Sequence, residues 1–222
     1  MSISHTYNIN DYKKIIDVIC DNHNKYNLEW LGLQKGHTFN LKKKQVRHVT
    51  LDDPKNTDNF IDTDFLDYME SYKAGLYDLY VDVALELSSS NGIPIIGRVK
   101  NDDSIISKLH RKRFHGNGSF SINKYLNDFL GFRIVDQNFA FNFYQLTDYI
   151  QHTKNEGKNR VRASVRQKND YKAFHIYFMG MFNTCFPIEL QVWDAQHERS
   201  NLDSHKVYKK DYTYWPTKYR DG

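Results

Sequence analysis

The chain carries a glutamate inside a run that otherwise belongs in a core: Phe186-Pro187-Ile188-Glu189-Leu190-Gln191-Val192. Such a short apolar run reads as a strand over 186–192. Side chains alternate across a strand, so Glu189 and Gln191 share one side of it. An ionised carboxylate there is costly to bury unless a metal, a cation or water meets it. Any fold for this chain must therefore supply one of these on that side of the strand.

A second apolar strand is expected over Phe129–Val135, with Asp128 at its start and Leu130 and Phe132 as buried types. A carboxylate at a strand end beside a crevice is a usual place for a Mg²⁺ ligand, and a turn aspartate is the plainer reading. Two carboxylates from two strands can hold Mg²⁺ on an ATP tail, and one can accept a proton from an attacking hydroxyl. Upstream, Ile93–Val99 reads as a strand, with Pro94 at its start or on a sheet edge. Arg98 and Lys100 alternate with Val99 and so share a face. A helix from Ser104 to Arg113, capped by Asp102 or Asp103, follows, with Lys108 one turn beyond Ser104. A strand end leading into a helix N-terminus suits an anion, and a generic basic strand edge is the alternative. Tyr171 follows Lys168-Asn169-Asp170, which is loop chemistry. An aromatic there can stack a nucleobase or merely clamp a strand edge. His175 opens the next strand, to contact phosphate or sit as a satisfied edge histidine.

Around these blocks the organisation is regular. A short helix is expected over 11–24, a solvated basic strand or loop over 39–51 with Lys42-Lys43-Lys44, and a linker near 52–62. One long amphipathic helix then runs from 64 to 87. A helix over 139–152 is followed by strands at 161–165, 173–181 and 186–192, and a last helix from Asp194 to about Lys209. Helices alternate with strands and then strands cluster, which predicts an α+β fold: a mixed β-sheet flanked by helices, with an N-terminal helical extension over 1–90 packed on a core of 91–222. Charged residues are 26% of the 222 and the net charge is +4, which mildly favours an anionic partner. Aromatics reach 15%, enough to furnish both a core and a stacking surface. The two cysteines, Cys20 and Cys185, form no disulfide framework and no zinc pattern. With no apolar leader and no long apolar span, the expectation is a cytoplasmic protein with no membrane partner. Neither a G-x-x-x-x-G-K-[ST] loop nor a G-x-G-x-x-G fingerprint occurs.

The ordered blocks resemble the synthetase domain of the RelA/SpoT family, the pyrophosphokinases that make (p)ppGpp. GRVKNDDSIISKL is similar to the family's R-x-K…S-I-x-x-K block and NDFLGFRIV to its D-L-x-G-x-R block. DYKAFH resembles its G-Y-x-S-L-H loop, PIELQV its E-I-Q-I-R-T strand, and NLDSHKVYK its closing helix. The resemblance covers roughly residues 90–210. It implies a nucleotidyltransferase-like sheet and transfer of the pyrophosphate of ATP to a ribose 3′-OH. Carried onto this chain, Arg98 and Arg133 face ATP, with Lys100, Ser104 and Lys108 on its phosphates. Asp128 and Glu189 hold Mg²⁺, with Glu189 the base, and Tyr171 stacks the acceptor base near His175 and Gln191. The departures lie on the acceptor side. Asp170 replaces a glycine, Trp193-Asp194 replaces Arg-Thr, and a basic segment holding Arg160, Arg162 and Arg166 stands where Lys-Asp-Tyr is expected. The Y-K-A-x-H and E-L-Q-x-W-D forms resemble the toxin branch of small alarmone synthetases. That branch implies a growth-inhibiting toxin acting on the tRNA 3′-CCA end, with GDP or GTP as the alternative acceptor. It leaves room for an antitoxin partner and a homo-oligomer. A non-catalytic nucleotide- or RNA-binding module is the competing class.

Overall fold

The computed structural model describes residues 5–51, 61–155, 160–204 and 206. Helix α1 (Ile9–Leu33) opens on Asn8, whose side chain accepts from the Asn10 and Asp11 amides while Asp11 bonds back to the Asn8 amide. It runs nine residues past the predicted end at 24. Beyond 24 the buried face consists of Asn27, which accepts from the Tyr72 hydroxyl, and a single apolar residue, Trp30, too little for a count of apolar residues to extend the helix. The long helix predicted from 64 is two helices, α2 (Thr63–Lys73) and α3 (Leu76–Asn91), broken at Ala74 and Gly75. A Cβ on Gly75 would lie 2.7 Å from the Tyr26 ring, so α1 packs into the break. The apolar stripe carries on across it, and periodicity alone reports one helix.

Strand β1 (Ile96–Val99) leads into α4 (Asp102–Phe114), whose cap is Asn101 rather than the predicted Asp102 or Asp103. After the short helix α5 (Ile122–Tyr125) come β2 (Leu130–Asp136), α6 (Phe139–Asn155), β3 (Val161–Lys168), β4 (Tyr171–Phe178) and β5 (Ile188–Asp194). The sheet order is β1-β2-β5-β4-β3, with β2 and β5 parallel and every other pair antiparallel. This is the predicted α+β architecture, a five-stranded mixed sheet flanked by helices. The last helix begins at 198, after a 3₁₀ turn (Ala195–His197) capped by Asp194. Of its predicted continuation to 209, residues 205 and 207–209 lie outside the described residues.

The sheet has two unlike faces. Leu130, Phe132, Ile134, Phe174, Ile176, Phe178, Ile188, Leu190 and Val192 are buried in one cluster with Ile15 and Ile19 of α1, Phe65 of α2, Leu79 and Val83 of α3 and Leu146 of α6. The N-terminal helices thus share the core of the sheet. A buried carboxylate ties them in: Asp136 at the end of β2 accepts from the Tyr12 hydroxyl at 2.6 Å, the Tyr7 amide at 3.2 Å and the Asn138 amide at 2.8 Å. Among the described residues no helix is long and apolar enough to cross a membrane.

Candidate active site

The polar face is laid out by register. Directly opposed residues lie on the same face of a sheet. One row reads Arg98, Gly131, Glu189, Tyr177, Arg162 from β1 to β3, and the next reads Ile96, Arg133, Gln191, His175, Ser164. The sequence blocks, ninety residues apart at their extremes, meet because β5 inserts between β2 and β4. Gly131 leaves a notch in the first row, between Arg98 and Glu189. A Cβ there would meet nothing within 4 Å.

Glu189 is buried and both its oxygens are held. His175 Nδ1 lies 2.7 Å from Oε1, and Gln191 Nε2 donates to Oε2 at 2.8 Å. Burial raises the Glu189 pKa, but the His175 bond and charge outweigh it, with Gln191 assisting against the opposing charge of Asp128, and the net shift is downward. The carboxylate is therefore ionised at neutral pH. An ionised carboxylate only accepts, so Nδ1 of His175 carries a hydrogen and donates to it, and the Tyr171 hydroxyl lies 2.8 Å from Nε2. Tyr171, His175, Glu189 and Gln191 thus form one hydrogen-bonded chain. Tyr171 sits at the first position of β4 rather than on a loop. The hairpin turn before it is closed by Asn169 at φ 51°, and its half-buried ring meets Trp193 edge-on at 6.3 Å.

Asp128 lies just before β2. Lys100 Nζ donates to its Oδ2 at 2.6 Å and Lys108 Nζ to its Oδ1 at 3.0 Å. Burial pushes this carboxyl up, and Lys108 and Lys100 override it, holding the pKa at about 2. Ser104 is buried in the first turn of α4, with its amide on the Asn101 cap. The Asp128 charge acts on Glu189, pushing its pKa up against the His175 effect. Two ionised carboxylates offer hard oxygen donors, and Mg²⁺ typically takes one or two such groups and completes its shell with phosphate and water. The oxygen chemistry is of the kind Mg²⁺ takes, and each oxygen is already engaged, Asp128 by Lys100 and Lys108 and Glu189 by His175 and Gln191. Among the described residues no group of three or more His, Cys, Asp or Glu gathers as a metal cage.

Arg98 is exposed on the edge strand, whereas the Arg133 guanidinium packs 3.7 Å from the centre of the Trp193 ring. Arg162 and Arg166 lie on the exposed edge strand β3, and the Arg166 guanidinium sits 6.0 Å from the Tyr177 ring. Arg160 precedes the strand and donates to the Met181 carbonyl at 2.9 Å and the Asn183 side chain at 2.7 Å, which ties it to the 181–183 loop. Two residues of this face were not singled out from the sequence. Tyr177 has its hydroxyl 3.4 Å from His175, and burial with the nearby Glu189 charge pushes its pKa to about 12. Trp193 is wholly buried beneath Arg133 and Tyr171. Both follow named site residues at a spacing of two, which is the signal that places them.

A family model described as a region found in RelA / SpoT proteins matches residues 97–213, just over half of the chain and every candidate site residue. The chain belongs to the RelA/SpoT family. That membership makes it a pyrophosphokinase-type enzyme at the level of the family. Among solved structures, the crystal structure of small alarmone synthetase 1 from Bacillus subtilis bound to AMPCPP is similar, at 16% identity and a TM-score of 0.37, over 67% of this chain and 80% of that one. No curated protein sequence matches.

Proposed function

We propose that this RelA/SpoT-family chain transfers the pyrophosphate of ATP to the 3′-OH of the terminal ribose of tRNA, and so acts as a growth-inhibiting toxin of the small alarmone synthetase type. The observation that carries the reading is the polar face. Exposed Arg98 stands at one side, the ionised Glu189–His175–Tyr171 chain in the middle, and Arg162 with Arg166 at the other. In this reading Arg98 and Arg133 hold the adenosine side of ATP, and Lys100, Ser104 and Lys108 its phosphates. Asp128 and Glu189 would hold Mg²⁺, which supplies neutralisation of phosphate charge. The acceptor 3′-oxygen forms a bond to the β-phosphorus. The bond from that phosphorus to the α,β-bridging oxygen breaks, AMP leaves, and Glu189 takes the hydroxyl proton. Tyr171 stacks the terminal base, with His175 and Gln191 holding Glu189 in place.

The basic β3 edge supports a polyanionic acceptor, because spread cations gain from counterion release and a mononucleotide needs few. Family membership favours the second reading, in which GDP or GTP is the acceptor and the product is (p)ppGpp. Incubation with ATP labelled in its β or γ phosphate, together with bulk tRNA, GDP or GTP, separates them. Label on tRNA is expected. Label only on a guanosine tetra- or pentaphosphate would replace the first reading by the second, and no transfer to any acceptor would overturn both.

A further inference from the structure

A second cationic feature lies outside the polar face of the sheet. A cavity of about 410 Å³ opens between the turn that carries Lys42 and Lys43 and the segment joining α4 to α5. Among the described residues Lys42, Lys43, Lys112 and Lys124 line it, and the rest of that described lining is uncharged. Among the described residues, these four ammonium groups form no ion pair with a carboxylate. Four uncompensated cations around one hollow repel one another, and an anion relieves that repulsion.

The site is built rather than incidental. The lysine turn is stapled to the far wall by backbone bonds: Ile122 amide to Lys44 carbonyl at 3.0 Å, Asn123 amide to Leu41 carbonyl at 3.0 Å, and Val46 amide to Phe120 carbonyl at 2.9 Å. Gly118, at φ 61°, lets the chain pass Arg47, whose backbone nitrogen would stand 2.9 Å from a Cβ. The Lys112 ammonium is parked over Phe120, 4.1 Å from the ring centre, and also over Tyr125 at 5.2 Å, and Lys108 approaches Tyr125 at 5.0 Å. These rings are therefore engaged by cations and offer little face to a nucleobase. The pocket is equipped to read phosphate and not sequence. Lys112 is one turn of α4 beyond Lys108, about 6 Å along the helix, so the pocket adjoins the Lys108–Asp128 cluster. Its Lys42–Lys43 wall precedes residue 97, where the family match begins.

We propose that this pocket takes a backbone phosphate of the RNA acceptor, beyond the reacting ribose; the proposal rests on the tRNA reading above. The test is fluorescence anisotropy of bulk tRNA with the full chain over a range of salt. The wild type is compared with Lys42→Ala/Lys43→Ala and with that pair plus Lys124→Ala. All three residues are exposed, and the turn's backbone bonds survive the changes. tRNA affinity should fall at least tenfold in the triple variant, and the slope of log affinity against log salt should shrink by roughly one unit per lost contact. ATP binding should be unchanged. Unaltered affinity and slope, in a protein that still transfers pyrophosphate to tRNA, would overturn the pocket and leave the acceptor reading standing. A wild type that neither binds nor modifies tRNA would remove the acceptor reading and this pocket's occupant together. Inorganic tripolyphosphate binding that is lost in the triple variant, with tRNA binding intact, would assign the pocket to small polyphosphates and overturn the proposal.

Discussion

At the scale of single residues, the Asp128 cluster makes a testable statement about acid stability. The folded pKa of about 2 lies below the ordinary 3.8, so the contribution is present above 3.8 and is lost as pH falls toward 2. A shift of that size corresponds to about 2 kcal/mol. Urea denaturation between pH 2 and 7 should show this loss in the wild type and not in Asp128→Asn, which should also start less stable at neutral pH by a similar amount because two lysines lose their counter-charge. Identical pH profiles would dissociate Asp128 from the lysines. Gly131 gives a complementary test. Its position in a strand with open space above it should accept Gly131→Val without loss of fold, yet the new side chain fills the notch between Arg98 and Glu189. Transfer should drop at least 100-fold with an unchanged melting temperature, and near-normal turnover would mean that no ligand crosses the notch.

At the scale of elements, β1 is held in place by α3. The Tyr80 ring lies so close over Gly97 that a Cβ there would overlap its carbon atoms. Gly97→Ala should therefore cost about 1–3 kcal/mol, as overpacking does. It should also weaken ATP binding, because β1 is the strand that presents Arg98. Calorimetry of ATP binding against the melting temperature checks this, and a shift in stability with unchanged ATP affinity would separate the strand from the donor site. The elements also show how far a sequence can be read. The order of the strands and the longer helices over 93–194 follows from the residue pattern, whereas the four-residue α5 does not, being too short to show a period. The α2–α3 break and the far half of α1 do not follow from it either, because a tyrosine ring seated in a helix break and a helix face finished by Asn27 are long-range pairings that no local pattern encodes.

At the scale of the whole molecule, one hydrophobic cluster spans the N-terminal helices and the sheet. Unfolding should be a single cooperative transition. Trp30 on α1 and Trp193 on β5 are both buried, so variants that keep only one of them among the chain's three tryptophans report on the two regions separately. Their denaturation midpoints should coincide with each other and with far-ultraviolet dichroism. Two separated midpoints would show that residues 1–90 fold apart from the catalytic sheet. The same scale separates what sequence decides from what it cannot. The alternation in Leu130–Val135 and Ile188–Val192 dictates a sheet with one apolar and one polar face, because a misregistered strand would bury Arg133, Glu189 and Gln191 in hydrocarbon. The carriers of charge were legible for the same reason: a carboxylate set among core residues needs a partner. Which partner was decided only by the tertiary structure. Strand order brings His175 to Glu189, Lys100 and Lys108 to Asp128, and Trp193 under Arg133, whereas Gln191 shares the strand of Glu189 and was already legible beside it. Loop contacts tie Arg160 to Met181 and Asn183, and backbone bonds hold the Lys42–Lys43 turn against α5. The contacts between strands depend on which strands are neighbours, and alternation along one strand carries no information about the strand beside it.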